Sequence, residues 1–223
     1  MNLADLPTDV SPDGNPVAVY LVLPARDEAD LISAAIAPGS SVLELGCGAG
    51  RVSRALAARG HRVVGVDQSP DMLRHVGPPP AVRPVLADIE DLALEERFDA
   101  VLLASYLVNT ADRDLRSRFL VTCRGHLAEG GVVVIQRVDP GITWAVGASS
   151  SYGPVRVKLL AAAPRDHFME ARLEYRVGPR TFEQVICVEI LDDMAIGEVL
   201  AAAGLRLDRW LDGARTWAVT RAA

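Results

Sequence analysis

The sequence predicts an α/β fold: a doubly wound, mostly parallel sheet that ends in an antiparallel hairpin, with an antiparallel β layer inserted over the site end of the sheet. Three observations predict it. Short apolar strands alternate with helical stretches from residue 41 to residue 136, the mark of crossovers and a parallel sheet buried on both faces. A glycine-rich turn follows the first of those strands directly. After Pro140 the texture changes, and strand-like stretches follow one another without helices between them. With 223 residues, 50% hydrophobic and 23% charged, the chain can bury one large core and is no disordered polymer.

Residues 1–16, rich in Pro, Asp, Asn and Gly, read as a flexible N-terminal arm. Residues 17–151 form the ligand-binding core of the fold. Within it, Ala25 to Ala37 reads as a helix stopped by Pro38-Gly39, and Ser41 to Leu45 as a strand running into glycines. Val52, Ala55, Leu56 and Ala58 have helical spacing, and Gly60 ends that helix. Arg62 to Val66 is a second strand, and Ser69-Pro70 supplies a cap and a first-turn Pro for the helix after it. Val82 to Leu86, Phe98 to Ala104 and Val132 to Gln136 are three more strands. A helix from about Asp112 to Leu127, closed by Glu129-Gly130-Gly131, joins the last two. Residues 152–190 carry the inserted layer, with strands expected at 155–160, 167–177 and 181–190. Residues 191–223 return to a helix and then a hairpin around Asp212-Gly213, which completes the core sheet.

Composition excludes several classes. A formal net charge of −6 supplies no basic face for a nucleic-acid backbone. Arg113, Arg116, Arg118 and Arg124 dot one helix among acids, which is a solvated face. No apolar run approaches the roughly 18 residues of a membrane span, and no basic start leads into an apolar stretch as in a secretory signal. Cys47, Cys123 and Cys187 lie far apart without metal spacing. The expectation is a cytoplasmic protein with a small-molecule substrate and no metal, and a homodimer is left open.

The informative stretch is Val42-Leu-Glu-Leu-Gly-Cys-Gly-Ala-Gly-Arg51, a strand, a glycine turn and a helix start. Such a turn lets backbone approach a ligand closely, and the helix start offers free N–H groups. A dinucleotide loop reads GxGxxG, but here Arg51 stands in place of the third fingerprint glycine. Glu44 would repel a pyrophosphate and suits a ligand bearing an ammonium and a sulfonium. The loop therefore favours S-adenosylmethionine over NAD.

From these residues the chain resembles the class I S-adenosylmethionine-dependent methyltransferases of small molecules, which have a Rossmann-like fold. ELGCGAGR resembles their first motif, and Val63-Val-Gly-Val-Asp67-Gln-Ser-Pro-Asp-Met72 their second. Ala87-Asp88-Ile89-Glu90-Asp91 and Phe98-Asp-Ala-Val-Leu-Leu-Ala-Ser105 follow in order, so the likeness spans about residues 30 to 138. The resemblance implies that Gly46, Cys47, Gly48, Gly50 and Arg51 cradle the cofactor with Glu44. It also implies that Asp67, with Gln68, takes the ribose hydroxyls. Asp88 accepts the adenine amino group, the Ile89 N–H meets the ring, and Ala104 ends the strand beneath the transferable methyl. Met72 either faces the adenine or packs in the core, and Tyr20 either lids the cofactor or simply packs. Related sugar N-methyltransferases place a His after the fourth strand, whereas here the segment is Ser105-Tyr106-Leu107-Val108-Asn109.

The acceptor should then lie over the end of the fourth strand, with Ser105 and Asn109 on its floor and Arg137 and Asp139 on the neighbouring rim. Trp144 and Tyr152 are expected beside it. Tyr106 is the candidate for orienting the acceptor, and His167, opening the middle strand of the roof, the candidate base. His61, His75 and His126 read as structural. Two other functions fit the same motifs: a cyclase or lyase acting on the cofactor without methyl transfer, and a cofactor-binding module without turnover.

Overall fold

The computed structural model describes residues 3, 6–77 and 82–223. Positions 1, 2, 4 and 5 of the expected arm lie outside the described residues. Two short helices come first, α1 (Val17–Val22) and α2 (Glu28–Ala35). The alternating core follows: β1 (Ser41–Leu45), α3 (Arg51–Ala57), β2 (Arg62–Asp67), α4 (Pro70–Leu73), β3 (Val82–Leu86), β4 (Phe98–Leu103), α5 (Arg113–Gly125) and β5 (Leu127–Gln136). An antiparallel layer comprises β6 (Ser149–Tyr152), β7 (Val155–Pro164), β8 (Met169–Val177) and β9 (Arg180–Val188). The chain closes with α6 (Asp193–Ala202), β10 (Leu205–Trp210) and β11 (Trp217–Ala222).

Seven strands form one sheet in the order β10-β11-β5-β4-β1-β2-β3, and β6-β7-β8-β9 form a second. Strands β1 to β5 pair in parallel, while β11 is antiparallel to both β5 and β10. The order runs outward in both directions from β1 and β4. Their carboxyl ends therefore face a crevice at the topological switch point, where ligands of such sheets bind.

The physics of β1 shows why the sheet sits in the middle. Leu43 and Leu45 face an apolar cluster with Phe119 and Leu120 of α5 and Ile196 and Leu200 of α6. Val42, one residue out of phase, faces Ile32 of α2 and Val52 and Leu56 of α3. A strand buried on both faces needs no polar side, so its sequence is a continuous apolar run broken only by Glu44.

Several boundaries differ from those the sequence predicts. Val17–Val22 is a helix, and residues 6–16 are no loose arm. Leu6 is 2% exposed, and Val10 bridges Pro16. Apolar burial outweighs the Pro/Asp/Gly composition there. Strand β5 begins at Leu127, where helix was expected, because Leu127 pairs with Phe98 ahead of a bulge. The inserted layer has a fourth strand, β6, built from Ser149-Ser-Ser-Tyr152, which no propensity signal marks. Around Asp212-Gly213 the chain makes a longer turn than two residues. The Asp212 carboxylate accepts the N–H groups of Thr216 and Trp217, and Arg215 takes a φ of 55°. The predicted cap of α4 is present, Met72 N–H donating to Ser69 Oγ at 3.2 Å, and Asp112 caps α5 in the same way, its Oδ1 accepting the Leu115 N–H at 2.9 Å.

The second sheet is anchored beside the end of β4. Thr110 bridges Val188 of β9, and the Glu189 N–H donates to the Asn109 carbonyl at 2.7 Å. Helix α1 joins the inserted layer to the glycine turn. Its Tyr20 and Leu21 pack in one cluster with Tyr175 and Val177 of that layer and in another with Ala49 and Met72 at the turn.

Candidate active site

The crevice is built from β-strand ends that turn sharply. Gly46, Gly48 and Gly50 have φ of 70°, 54° and 76°, a backbone region that side chains rarely occupy. A β-carbon on Gly50 would press on the Val76 backbone at 3.2 Å and one on Gly46 on the tip of Leu107 at 2.6 Å, while Gly48 has room, so the left-handed φ is what disfavours a side chain at all three. Cys47 fits because Gly65 of β2 lies opposite, where a β-carbon would come within 2.8 Å of its sulfur. Burial pushes the Cys47 thiol well up, so it is a filler and no nucleophile.

Asp67 ends β2 at the edge of this turn. Its two oxygens take the Gly48 N–H at 2.7 Å and the Ser69 N–H at 2.9 Å. Burial raises its pKa and the two amides oppose that rise. Each oxygen keeps a further lone pair, so the carboxylate can still accept two vicinal hydroxyls. Asp88 lies ahead of the 3-10 turn Ile89–Asp91, while Ile89 and Ala104 are buried. Gln68 is exposed, and Met72 is buried against Ala49 and Val17. A donor-rich turn, a two-pronged carboxylate and a buried apolar edge fit a nucleoside with an amino-acid tail.

Glu44 is not where the sequence reading puts it. Its carboxylate is buried and turned under the loop, taking the Ser53 hydroxyl of α3. Burial pushes it up to about 7. It props the turn from beneath and does not point at a ligand, because position 44 shares the face of Val42. Arg51 likewise turns away, donating to Glu28 Oε1 at 2.7 Å and to the Pro24 carbonyl at 3.3 Å. Tyr20 donates its hydroxyl to Asn15 Oδ1 at 2.8 Å, and burial raises that phenol.

Beyond β4 the chain is strained. Ser105 and Tyr106 have φ of 54° and 64°, which costs non-glycine residues roughly 1–3 kcal/mol each. The Ser105 N–H donates to Gln136 Oε1 at 2.8 Å. Tyr106 emerges 42% exposed. Partial burial raises the phenol pKa, opposed by the Arg26 guanidinium beside it, and Tyr152 lies near. Arg26 also stacks over the Tyr152 ring, 5.0 Å from its centroid. Ser105, Tyr106, Tyr152 and Arg26 thus form the mouth. Trp144 lies half-buried in the loop that runs on to the edge of β7.

Three other acceptor candidates do structural work. Asn109 is fully buried, donating to the Glu189 carbonyl and accepting from Val138 N–H, both at 2.8 Å. Arg137 is 1% exposed, and its guanidinium donates to the Arg215 and Leu191 carbonyls and to Asp193 while stacking 4.3 Å from the Trp210 ring. Every nitrogen of that fork is engaged within the protein itself. Asp139 accepts the Gly141 N–H at 2.8 Å in a local turn. His167 sits in the β7–β8 turn, bonded to the Ala111 carbonyl at 3.1 Å. The length of β7, at about 3.3 Å per residue, puts roughly 30 Å between that turn and the Tyr152 end. His167 is thus a strand's length from Tyr152, held at the segment that follows Tyr106.

The sequence reading missed Arg26 and Gln136. A signal existed for each: Arg26 is a cation at a helix N-terminus, where the dipole disfavours it, and Gln136 is the one polar residue ending an apolar strand. Open depressions of the surface lie elsewhere, one beside Arg137 and Arg215 and one between α5 and α6; at the glycine turn α1 covers the ground. Among the described residues no helix is long and apolar enough to cross a membrane, and no three His, Cys, Asp or Glu converge on a metal site.

Residues 42–131 match the family model of a methyltransferase domain. Among curated proteins, a cypemycin N-terminal methyltransferase from a Streptomyces species is 32% identical over 130 residues, covering 50% of this chain and 53% of that protein. A ubiquinone biosynthesis O-methyltransferase of Xanthomonas campestris is 29% identical over 135 residues, 57% of this chain and 54% of that one. The chain thus spans about half the length of the curated relatives it matches. Of the solved structures, the CcbJ methyltransferase from Streptomyces caelestis superposes with a TM-score of 0.72 at 25% identity, covering 90% of this chain and 91% of that one. CalS10, an amino pentose methyltransferase from Micromonospora echinaspora solved with its cofactor, superposes at 0.68 with 24% identity, covering 88% and 89%. The sheet order, the glycine turn and these likenesses together define the class. The fold is that of the class I S-adenosylmethionine-dependent methyltransferases, residues 42–131 match their methyltransferase domain, and these likenesses support S-adenosylmethionine as the cofactor.

Proposed function

We propose that this protein methylates a neutral amine nitrogen of a small molecule. The observation that carries the reading is the chemistry of the mouth: two phenols, a serine and a guanidinium, and, among the described residues, no side chain there poised to take a proton at neutral pH. Glu28, the carboxylate that reaches Tyr106, is buried and engaged by Arg51 and by the Arg26 N–H. A phenol or alcohol acceptor needs a base to become a nucleophile, whereas an amine need only arrive unprotonated. The relative named as a cypemycin N-terminal methyltransferase supports an amine, and the O-methyltransferase relative is the reason to test oxygen acceptors beside it.

When bound, the cofactor supplies an electrophilic methyl on a sulfonium. The chain's own residues do the rest. Gly46, Gly48 and Gly50 would admit it closely, Asp67 would take its ribose, and Asp88 and the Ile89 N–H would meet its base. Helix α1 and the inserted layer exclude water above the crevice. The Tyr106 hydroxyl holds the acceptor in line, which is where most of the rate comes from in a displacement without proton transfer.

The test is a panel of primary and secondary amines, phenols and alcohols incubated with the protein and S-adenosylmethionine, read by mass spectrometry. Methylated amines with matching S-adenosylhomocysteine are expected, and Tyr106→Phe should lower their turnover about tenfold with cofactor affinity unchanged. Methylation confined to phenols or alcohols overturns the amine. Methylthioadenosine in place of S-adenosylhomocysteine overturns methyl transfer itself.

A further inference from the structure

Two consecutive residues with side chains, Ser105 and Tyr106, hold left-handed backbone angles of 54° and 64° at the end of β4. Neither has a glycine's freedom, so the surroundings must hold the pair in place. Upstream, the Ser105 N–H donates to Gln136 Oε1 at 2.8 Å. Gln136 is itself buried, and its backbone is locked by the ladder to Trp217 of β11. Downstream, the Tyr106 carbonyl accepts the Asn109 N–H at 2.8 Å, and the Asn109 side chain is bolted to Val138 and Glu189. Tyr106 is therefore gripped on both sides by buried amides. The orientation of the Gln136 amide follows from chemistry, because a backbone N–H can only be met by its oxygen.

Strand β5 reads Val132-Val-Val-Ile-Gln136 at its end, and a buried amide there is a cost unless it satisfies something specific. What it satisfies is the one N–H that opens the strained pair. We propose that Gln136 is a positioning residue: by accepting the Ser105 N–H it holds the left-handed turn and so aims the Tyr106 hydroxyl at the acceptor. The inference rests on the reading of Tyr106 given above. It assigns Gln136 no contact with the reacting atoms.

The chain has four tyrosines, so 3-fluorotyrosine labelling yields a short fluorine spectrum in which Tyr106→Phe identifies the Tyr106 line. Gln136→Leu removes the acceptor at similar volume, and Gln136→Asn is a milder variant whose amide is one methylene too short. Gln136→Glu keeps an oxygen in place. Expected in Gln136→Leu is a displaced or broadened Tyr106 line beside unmoved Tyr20 and Tyr175 lines. Turnover of the accepted amine should fall about tenfold while S-adenosylhomocysteine affinity stays within threefold of the parent. Gln136→Glu should restore the line, and so should Ser105→Gly added to Gln136→Leu, since glycine needs no clamp at this φ. An unmoved Tyr106 line in a variant that merely melts earlier overturns the proposal. A moved line with undiminished turnover overturns the role given to Tyr106 and leaves the clamp standing, so the two failures are distinguishable.

Discussion

The two halves of the crevice are built in opposite ways. At the glycine turn, ten successive residues from Val42 to Arg51 supply strand, turn and helix start, and the partner carboxylate is Asp67 at the end of the next strand. At the mouth, the side chains come from Arg26, Tyr106 and Tyr152, on three separate segments, with Gln136 on a fourth. The cofactor end is local and carried by backbone; the acceptor end is assembled over long range and carried by side chains. A backbone-built site tolerates surface drift but strains under a side chain at its left-handed glycines. A side-chain-built site can change specificity by single substitutions, which is how one cofactor fold serves many acceptors.

The largest effect that sharpens this contrast belongs to Asp67. Asp67→Ala removes the carboxylate proposed to take the ribose and frees the Gly48 and Ser69 amides that shape the turn. Affinity for S-adenosylhomocysteine should fall a hundredfold or more, about 3 kcal/mol, by calorimetric titration. Circular dichroism should remain that of a folded protein. An affinity within threefold of the parent would mean that the ligand lies elsewhere.

The same contrast explains what is legible in the sequence. The glycine turn, Asp67, the parallel strands and the Ser69 cap are readable because each is a short-range pattern whose spacing has one physical meaning. Asn109 and Arg137 mislead because their types and their place beyond strand ends suit a substrate, and only distant partners decide otherwise. Arg137 meets Leu191, Asp193, Trp210 and Arg215, all more than fifty residues away. Glu44 belongs to the expected turn but to its other face. The alternation of β1 sends it toward Ser53, a geometry that the attraction to a cationic ligand leaves out. The fourth strand of the inserted layer is invisible in the sequence because Ser149 to Ser151 carry no strand preference and are held by pairing with β7 alone.

Arg137 gives the next test, smaller than the first and of a different kind. Arg137→Met keeps the apolar stem against Trp210 and removes the fork that ties β5 to α6 and to the final turn. The remaining Asp193 stays paired with Arg215 and is partly exposed, so no bare charge is stranded. A loss of about 2–3 kcal/mol of stability is expected in a urea titration, below the roughly 3–5 kcal/mol of a fully stranded partner. Cofactor affinity and turnover per folded molecule should match the parent. A stable variant with a raised acceptor KM would instead move Arg137 into the acceptor site and break the division between scaffold and mouth.

The smallest effect concerns the prop beneath the turn. Burial holds the Glu44 pKa near 7 against an ordinary 4.5, with the Ser53 hydroxyl opposing the rise. Between those two values the folded state binds a proton that the unfolded state has released. Stability from this group is therefore fully present below about pH 4.5 and is lost as pH rises through about 7. Glu44→Gln keeps the shape and can still accept from Ser53 but cannot ionise, so it removes this one contribution and leaves other titrations untouched. Urea midpoints for the two proteins at pH 5 and pH 8 isolate the difference. The parent should lose about 2 kcal/mol relative to Glu44→Gln across that range, since each tenfold difference in proton affinity between the folded and unfolded states carries about 1.4 kcal/mol. Parallel curves would show that the carboxylate is solvated and reaches the crevice, which would return Glu44 to the ligand. A widening gap, joined to a cofactor affinity that changes far less than in Asp67→Ala, keeps the two carboxylates of the turn in separate roles: one gripping the ribose, one buried to hold the glycines in place.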